Sequence, residues 1–302
     1  MADIYHIIYN PYANRGGSAH YLDAFCTLLD AKNTAYKVYE TARRGHATEI
    51  TRDIIALADG TKYIVIMGGD GTVHEVVNGY RQGDNVVFGI LPAGTGNDVA
   101  SMLKVPVGLE NVEAAAANIL EKNIRQVDFI AAEHGMQSVL FFSYGIAAAM
   151  ILEMAKYKKK SKISYYRALL KNIFSFEAGE YDVTADGGDT RRYKVDFCAV
   201  HNCIHAGGGM HLISEAVMDD GFAELFIVEN RGHFRRILNF ISILSKKVHL
   251  QPNAQIIKVK NVTITPVTNN LCCVDGENHY IDQLKLSVRH RGISVFHKTP
   301  NA

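Results

Sequence analysis

The sequence contains no tryptophan, and no two of its cysteines stand at Cys-x-x-Cys spacing. The five cysteines (Cys26, Cys198, Cys203, Cys272 and Cys273) are odd in number, which argues against a disulfide framework or a zinc site and for a reducing compartment. The adjacent Cys272 and Cys273 read as a piece of strand rather than a redox pair. Charge of one sign is lacking too: 32 Lys and Arg against 31 Asp and Glu leave a net +1, so no overall field invites nucleic acid. No apolar run is long enough to span a bilayer. The most apolar, Val139 to Leu152, is interrupted by Ser143, Tyr144 and Gly145 and closed by Glu153 and Lys156. The opening Met1-Ala-Asp-Ile-Tyr-His lacks the basic start and apolar core of a signal peptide. These absences predict a soluble, cytoplasmic protein.

What is present is an ordinary globular composition, 48% apolar and 21% charged, over 302 residues that suit two modest domains better than one. The sharpest local signal lies at residues 63–79. Tyr63-Ile-Val-Ile-Met67 is short, apolar and β-branched, as a strand buried on both faces requires. Gly68-Gly-Asp-Gly-Thr72 follows, then Val73, Val76 and Val77 at helical spacing, with Gly79 as a stop. Such a strand, glycine turn and helix start make a phosphate cradle, because glycine lets the backbone approach a ligand and the first amides of a helix attract an anion. The cradle is not a Walker loop, which needs Gly-Lys-Ser/Thr, nor a dinucleotide fingerprint, which needs G-x-G-x-x-G. Asp70 would repel phosphate unless a divalent cation stood between them, so the loop suggests a metal–nucleotide complex. The alternative is an ordinary βα turn with Asp70 as a helix cap.

Around this centre the first half alternates. Ile4–Tyr9 reads as a strand, followed by the glycine-bearing turn Asn10–Ser18 and a helix with Ala24, Leu28 and Leu29 on its buried side. Tyr36–Tyr39 is a second strand, and a helix carrying Ile50, Ile54, Ile55 and Leu57 comes next. After the centre, Val86–Leu91 is a further strand. Strands alternating with helices imply a parallel sheet covered on both faces, with ligands beyond the carboxyl ends of the strands. The loops 10–17, 41–46, 68–72 and 92–98 fall there. The last, Pro92-Ala-Gly-Thr-Gly-Asn-Asp98, packs two glycines, a hydroxyl, an amide and a carboxylate between a strand and a helical segment.

From Gln126 the texture changes. After the helical stretch Val112–Leu120, strand-like runs recur at 126–130, 138–143, 181–185, 193–200, 223–228, 256–264 and 285–288, the pattern of an antiparallel sandwich. Helical segments near 146–176 and 233–245 interrupt it. Two turns carry carboxylates: Asp219-Asp-Gly221, after Ala206-Gly-Gly-Gly-Met210, and Val274-Asp-Gly-Glu277. Taken bare, the first is a β-turn and the second a hairpin with a solvated Glu.

The pairing of Gly68-Gly-Asp-Gly-Thr72 and Asn78-Gly79 with Pro92-Ala-Gly-Thr-Gly-Asn-Asp98 resembles the diacylglycerol kinase catalytic-domain family, which includes sphingosine and ceramide kinases and stand-alone bacterial lipid kinases. The first motif alone is shared with NAD kinases and in part phosphofructokinases. The second half resembles the family as well, through the D-D-G and D-G-E turns. The resemblance implies a three-layer α/β ATP-binding domain of the NAD kinase and phosphofructokinase type at 1–127, to which 290–302 return, and a β-sandwich lipid-substrate domain at 128–289. It implies an ATP- and Mg2+-dependent kinase that phosphorylates a primary hydroxyl of diacylglycerol or a related lipid. Carried over, the phosphate contacts fall on Asn10, Pro11, Tyr12, Ala13, Asn14, Gly68, Gly69, Asp70, Gly71, Thr72, Val73 and His74, with hydroxyls from Thr41 and Thr95. Asp70 binds the catalytic magnesium, with Asp98 and Asp128 as supports, and Glu277 is the general base across an interdomain cleft. A structural magnesium falls to Asp220 and the carbonyls of Val217 and Phe222. The chain departs from many relatives at His74, where they have Asn.

Two further readings stay open: an NAD kinase, which leaves residues 92–98 and the D-G-E turn without a role, and a non-catalytic lipid- or nucleotide-binding regulator. A lipid kinase without a membrane span must dock on the inner face of a membrane. Lys156-Tyr-Lys-Lys-Lys-Ser-Lys162 and the set Arg231, Arg235, Arg236, Lys246 and Lys247 are the basic candidates, against the plainer reading of solvated helix ends. Relatives of this size imply a possible homodimer.

Overall fold

Four parallel strands form the centre of the first half in the computed structural model, which describes residues 3–58, 60–154, 156–157, 162–206, 210–211 and 216–297. In chain order they are β1 (Ile4–Tyr9), α1 (Ala19–Ala31), β2 (Ala35–Glu40), α2 (His46–Ile55), β3 (Lys62–Gly68), α3 (Asp70–Gly79), β4 (Val86–Pro92), α4 (Asp98–Met102) and α5 (Val112–Leu120). The sheet order is β2-β1-β3-β4, and residues 294 and 295 add a further parallel pairing beside β4, opposite Val87 and Phe88. Every residue of β4 is buried, and nearly every residue of β3, which is why both read as unbroken apolar runs rather than alternating ones. Tyr5 stacks on Tyr63 with centroids 5.5 Å apart, and Phe296 closes the cluster. Tyr80 donates its hydroxyl to the Gly292 carbonyl at 2.7 Å, which fastens the end of the chain to this unit. The unit comprises residues 1–127 and 291–302.

Helix faces depart from the sequence expectation in two places. The stripe of α1 that is fully buried is Tyr21, Phe25 and Leu29, spaced four apart, while Ala24 and Leu28 are only half-buried beside it. Leu57 lies beyond the end of α2 and is exposed; Ala47 and Thr51 are buried with Ile50 and Ile54 in its place.

β5 (Ile124–Ala132) leads into the second unit, residues 128–290. There follow β6 (Gln137–Ser138), β7 (Phe141–Gly145), α6 (Ile146–Met154), α7 (Lys162–Ser175), β8 (Gly179–Ala185), β9 (Arg191–His201), β10 (His205–Ala206), β11 (Met210–His211) and β12 (Ala223–Glu229). α8 (Gly232–Leu244), β13 (Ala254–Val259), β14 (Asn261–Pro266), β15 (Leu271–Val274), β16 (Glu277–Tyr280) and β17 (Leu284–Phe296) complete the chain. Its strands pair antiparallel: β7 with β9 and β15, β8 with β9 and β14, β12 with β9 and β13, β14 with β17, and β15 with β16. β9 is the long member: Arg191 to Val195 pair with β8, and Phe197 to His201 with β7 on one side and β12 on the other. One core unites Phe142 and Tyr144 of β7 with Tyr181, Val200, Leu225, Ile264 and Leu284. Cys272 and Cys273 lie in β15, both free and buried, as strand residues.

The run 256–264 is two strands, not one. β13 pairs with β12 and β14 with β8 and β17, and the chain switches partners at Lys260. Asp186 fixes that corner by accepting from the Lys260 and Asn261 amides at 3.0 and 2.7 Å. The helical segment 146–176 is likewise two helices, α6 and α7. Lys158 to Lys160 of the lysine cluster, and Gly207 to Gly209, lie outside the described residues.

Candidate functional site

The carboxyl ends of β1, β2, β3 and β4 bring four loops together in unit 1, and backbone bonds just past the strand ends knit them. Thr41 donates to the Tyr9 carbonyl at 2.9 Å, Asn10 to Met67 at 3.0 Å and Ala93 to Gly68 at 2.9 Å. Side chains continue the weave. Asn10 donates its amide to Thr72 Oγ1 at 3.0 Å, and its own Oδ1 accepts from the Tyr12 amide at 3.0 Å. Ser18, buried, donates to the carbonyls of Asn10 and Pro11 and so folds the loop back on itself. Ala13 and Asn14 form a short 3-10 turn, and Tyr12 is exposed.

Helix α3 begins inside the glycine motif, at Asp70, with Gly69 as its extended N-cap. The N-cap position therefore falls on Gly69 and not on Asp70. Asp70 Oδ1 accepts from the backbone amide of Val99 at 3.0 Å, at the start of α4. The two glycine loops touch backbone to backbone: a Cβ built on Gly94 would stand 2.3 Å from the Cα of Gly69, inside any permitted contact. Asn97, held in the left-handed region at φ +56°, closes the second loop by accepting from the Gly94 amide at 3.0 Å and donating to its carbonyl at 2.9 Å. Asp98 is buried as the first residue of α4, and Thr95 is exposed at the loop tip. Gly71 thus sits in the first turn of α3, where a helix start leaves amides free, whereas Gly68 ends β3 and the amides of Thr72 and Val73 already donate to the Gly69 carbonyl at 2.9 and 3.1 Å. His74 is buried on α3, and Asn78 donates its side-chain amide to the His74 carbonyl at 2.8 Å.

Unit 2 holds the other candidates. Asp128, fully buried, is tied to the D-D-G turn: its amide donates to the Met218 carbonyl at 2.6 Å, and its Oδ2 accepts from the Gly221 amide at 2.7 Å. His290 Nδ1 meets the other oxygen at 3.0 Å. At the turn itself Val217 is exposed, Asp220 Oδ1 accepts from the Phe222 amide at 3.0 Å, and Lys258 pairs with Oδ2 at 2.6 Å. Four residues after Asp220, Glu224 is 2% exposed, and neither of its carboxylate oxygens has a hydrogen-bond partner among the described residues. Burial, then the charge of Asp220, pushes its carboxyl up to about 7. An orphaned carboxylate beside a second one is what a hard cation satisfies, so the residues present fit a magnesium at this turn.

Glu277 opens β16 across a two-residue turn from Val274. Asp275 and Gly276 both take positive φ, +47° and +92°, the type I′ turn that Asp-Gly favours. The turn is anchored rather than loose. Asp275 is buried, and one of its oxygens accepts from the Ser138 hydroxyl and from the amides of Leu140 and Phe141, at 3.3 and 3.0 Å for the amides. Glu277 is half-buried on that support.

A profile described as the diacylglycerol kinase catalytic domain matches residues 5–132, and one described as the YegS C-terminal NAD kinase beta sandwich-like domain matches residues 142–296. The chain belongs to the diacylglycerol kinase catalytic-domain family. Within it, the chain is 26% identical over 284 residues to the diacylglycerol kinase of Staphylococcus saprophyticus, covering 90% of this chain and 88% of that one. It is 27% identical over 282 residues to that of Staphylococcus aureus strain bovine RF122, covering 90% and 85%. A Bacillus anthracis diacylglycerol kinase of known structure shares the fold at a TM-score of 0.74 and 20% identity, over 98% of this chain and 97% of that one. Another solved chain from that organism superposes at 0.79 with 24% identity and the same coverage. The family is one of lipid kinases.

Several residues of the site carry no signal in the sequence. Asn97 and Asp275 are visible there only as turn formers, yet they hold the second glycine loop and the Glu277 hairpin. His290 reaches Asp128 across 162 positions of chain, which no local spacing reveals, whereas Glu224 follows the D-D-G turn closely but reads there as an ordinary strand residue.

Proposed function

We propose that this kinase uses ATP with magnesium and transfers the γ-phosphoryl group to a primary hydroxyl of diacylglycerol or a closely related lipid. The observation that carries the reading is the backbone apposition of Gly69 and Gly94, which joins the two glycine loops into one surface bare of side chains in a chain of this family. Phosphoryl transfer asks the protein for positioning and charge stabilisation more than for covalent chemistry. Residues 68–74 and the loop 10–14 orient the phosphates through the start of α3 and the Asn10–Thr72 pair, with Thr41 and Thr95 as hydroxyl contacts. Asp70, steadied by the Val99 amide, faces the nucleotide's cation, with Asp98 buried beside it. Magnesium, when bound, neutralises the phosphates.

Glu277 takes the proton of the acceptor hydroxyl as its oxygen bonds to the γ-phosphorus and the bond to the β-phosphate oxygen breaks, releasing ADP. Asp275 positions that carboxylate through the hairpin. Asp128 keeps the D-D-G turn in place, and Asp220, Glu224 and the carbonyls of Val217 and Phe222 are the ligands we assign to the structural cation. That assignment gives Asp128 a positioning role rather than contact with nucleotide.

The test is transfer of label from ATP, with magnesium, to a panel of mixed micelles containing diacylglycerol, monoacylglycerol, a sphingoid base or phosphatidylglycerol. Label on one lipid supports the reading and names the acceptor. Label on NAD supplied as a control moves the protein to the dinucleotide alternative, and ATP binding without transfer to any acceptor favours a regulator.

A further inference from the structure

Helix α8 is amphipathic with its polar stripe turned inward. A helix on a protein surface ordinarily buries its apolar stripe. Here Arg236, Asn239 and Ser242 are each 5% exposed, whereas Phe234 is 75% exposed and Ile241 more than half. The cause lies beneath the helix. Arg236 donates through Nε and Nη2 to Asp196 of β9, at 3.0 and 2.7 Å, and through Nη1 to the carbonyls of Ile173 and Phe176 at the end of α7, at 3.1 and 2.8 Å. The buried ion pair holds the polar stripe in, and Phe234 and Ile241 are left facing water, with Ile237, Leu238 and Phe240 half-buried. Arg236 is therefore not part of a basic surface patch, contrary to the sequence expectation.

Helix α7 repeats the arrangement alongside. Asn172 is buried and donates to the Ala168 carbonyl, while Phe174 is 62% exposed and Leu170, one turn away, about half. Leu250, in the short 3-10 turn that packs against α8, is exposed as well. Isolated exposed leucines are ordinary, but large apolar side chains gathered on adjoining helices mark an interaction surface. The charges around them have one sign. No Asp or Glu occurs between Glu153 and Glu177 or between Glu229 and Asp275, whereas Arg167, Lys171, Arg231, Lys246 and Lys247 are all exposed. Lys171 and Arg231 pair with Glu153 and Glu229 at the ends of those stretches.

We propose that the α7–α8 face of unit 2 docks on an anionic bilayer, its apolar side chains entering the acyl boundary and its basic residues meeting the headgroups. Charge complementarity selects this occupant: a second copy of the same face would set positive against positive, whereas a basic amphipathic helix surface suits anionic lipid. The lipid-kinase reading gives the docking its purpose; the surface itself stands on the geometry of unit 2.

The test is flotation of the full chain, without nucleotide, with phosphatidylcholine vesicles that contain or lack phosphatidylglycerol. Wild type should bind the anionic vesicles roughly tenfold or more tightly than the neutral ones, and more weakly as salt rises. The triple variant Phe174→Ser, Phe234→Ser and Ile241→Ser should lose roughly tenfold or more of that binding, with its urea midpoint and ATP binding retained. Lys246→Gln with Lys247→Gln should erode the preference for anionic lipid. Undiminished binding by the triple variant would overturn the proposal. So would a wild type that ignores vesicles, including one that is a dimer in solution and becomes a monomer in the triple variant, which would give the face to a second copy. Vesicle binding that depends on these residues in a protein that phosphorylates no lipid would retain the surface and remove the kinase reading.

Discussion

Gly94 has no room for a side chain. A methyl group there meets the Cα of Gly69, and backbone cannot swing aside as a flexible side chain can. Gly94→Ala should therefore separate the two loops, cost about 1–3 kcal/mol of stability and weaken ATP binding, read by urea unfolding and nucleotide titration on the same sample. Asp275 offers a different kind of test, because it touches no substrate in this account. Asp275→Ala takes the acceptor from the Ser138 hydroxyl and the Phe141 amide, while the Leu140 amide keeps Ser138 Oγ at 3.1 Å; the loss is about 1–3 kcal/mol, and kcat should fall while the KM for ATP stays put. A fall in ATP affinity instead would contradict its role in placing Glu277. His201 titrates the core. Its ring lies among Phe141, Phe197 and Phe226, and burial depresses its pKa to about 3. The unfolded chain binds that proton near 6.5, so the native state is favoured above about 6.5 and loses this contribution as pH falls towards 3. Urea midpoints should drop between pH 7.5 and pH 5, and His201→Phe should flatten the drop.

At the scale of elements, helix α8 shows where a sequence pattern stops being informative. Its amphipathic pattern is plain from Phe234 to Ser242, but the direction of the stripe depends on Asp196, forty residues earlier. Removing one partner of that pair strands a buried charge. Arg236→Met or Asp196→Leu alone should cost about 3–5 kcal/mol, and the double variant less than their sum, in a urea double-mutant cycle. The glycine loops were legible because they are short, local and chemically unusual. The division of 256–264 into β13 and β14 was not, since both strands are apolar enough to read as one, and the break is made by Asp186 from another turn. Face assignments on α1 and α2 failed for a related reason: Tyr21, Phe25 and Thr51 are buried by what packs on them rather than by hydrophobicity alone.

Across the whole molecule, the alternation of strands and helices followed by strand-rich sequence marked an α/β unit and an antiparallel one, and the paired motifs marked the family. What the sequence left open was how the carboxylates divide their work. Asp70 is held by the second glycine loop, Asp128 holds the D-D-G turn, Glu224 is buried with no hydrogen-bond partner among the described residues, and Glu277 stands on an anchored hairpin. The central claim is that ATP is consumed at the lipid hydroxyl with Glu277 as the base. It is tested most directly by comparing wild type and Glu277→Gln for label transfer from ATP to the acceptor lipid, with ATP binding measured in parallel. The account predicts equal ATP binding and a loss of turnover of about 10²–10⁴-fold in the variant. Near-normal turnover by Glu277→Gln would contradict it.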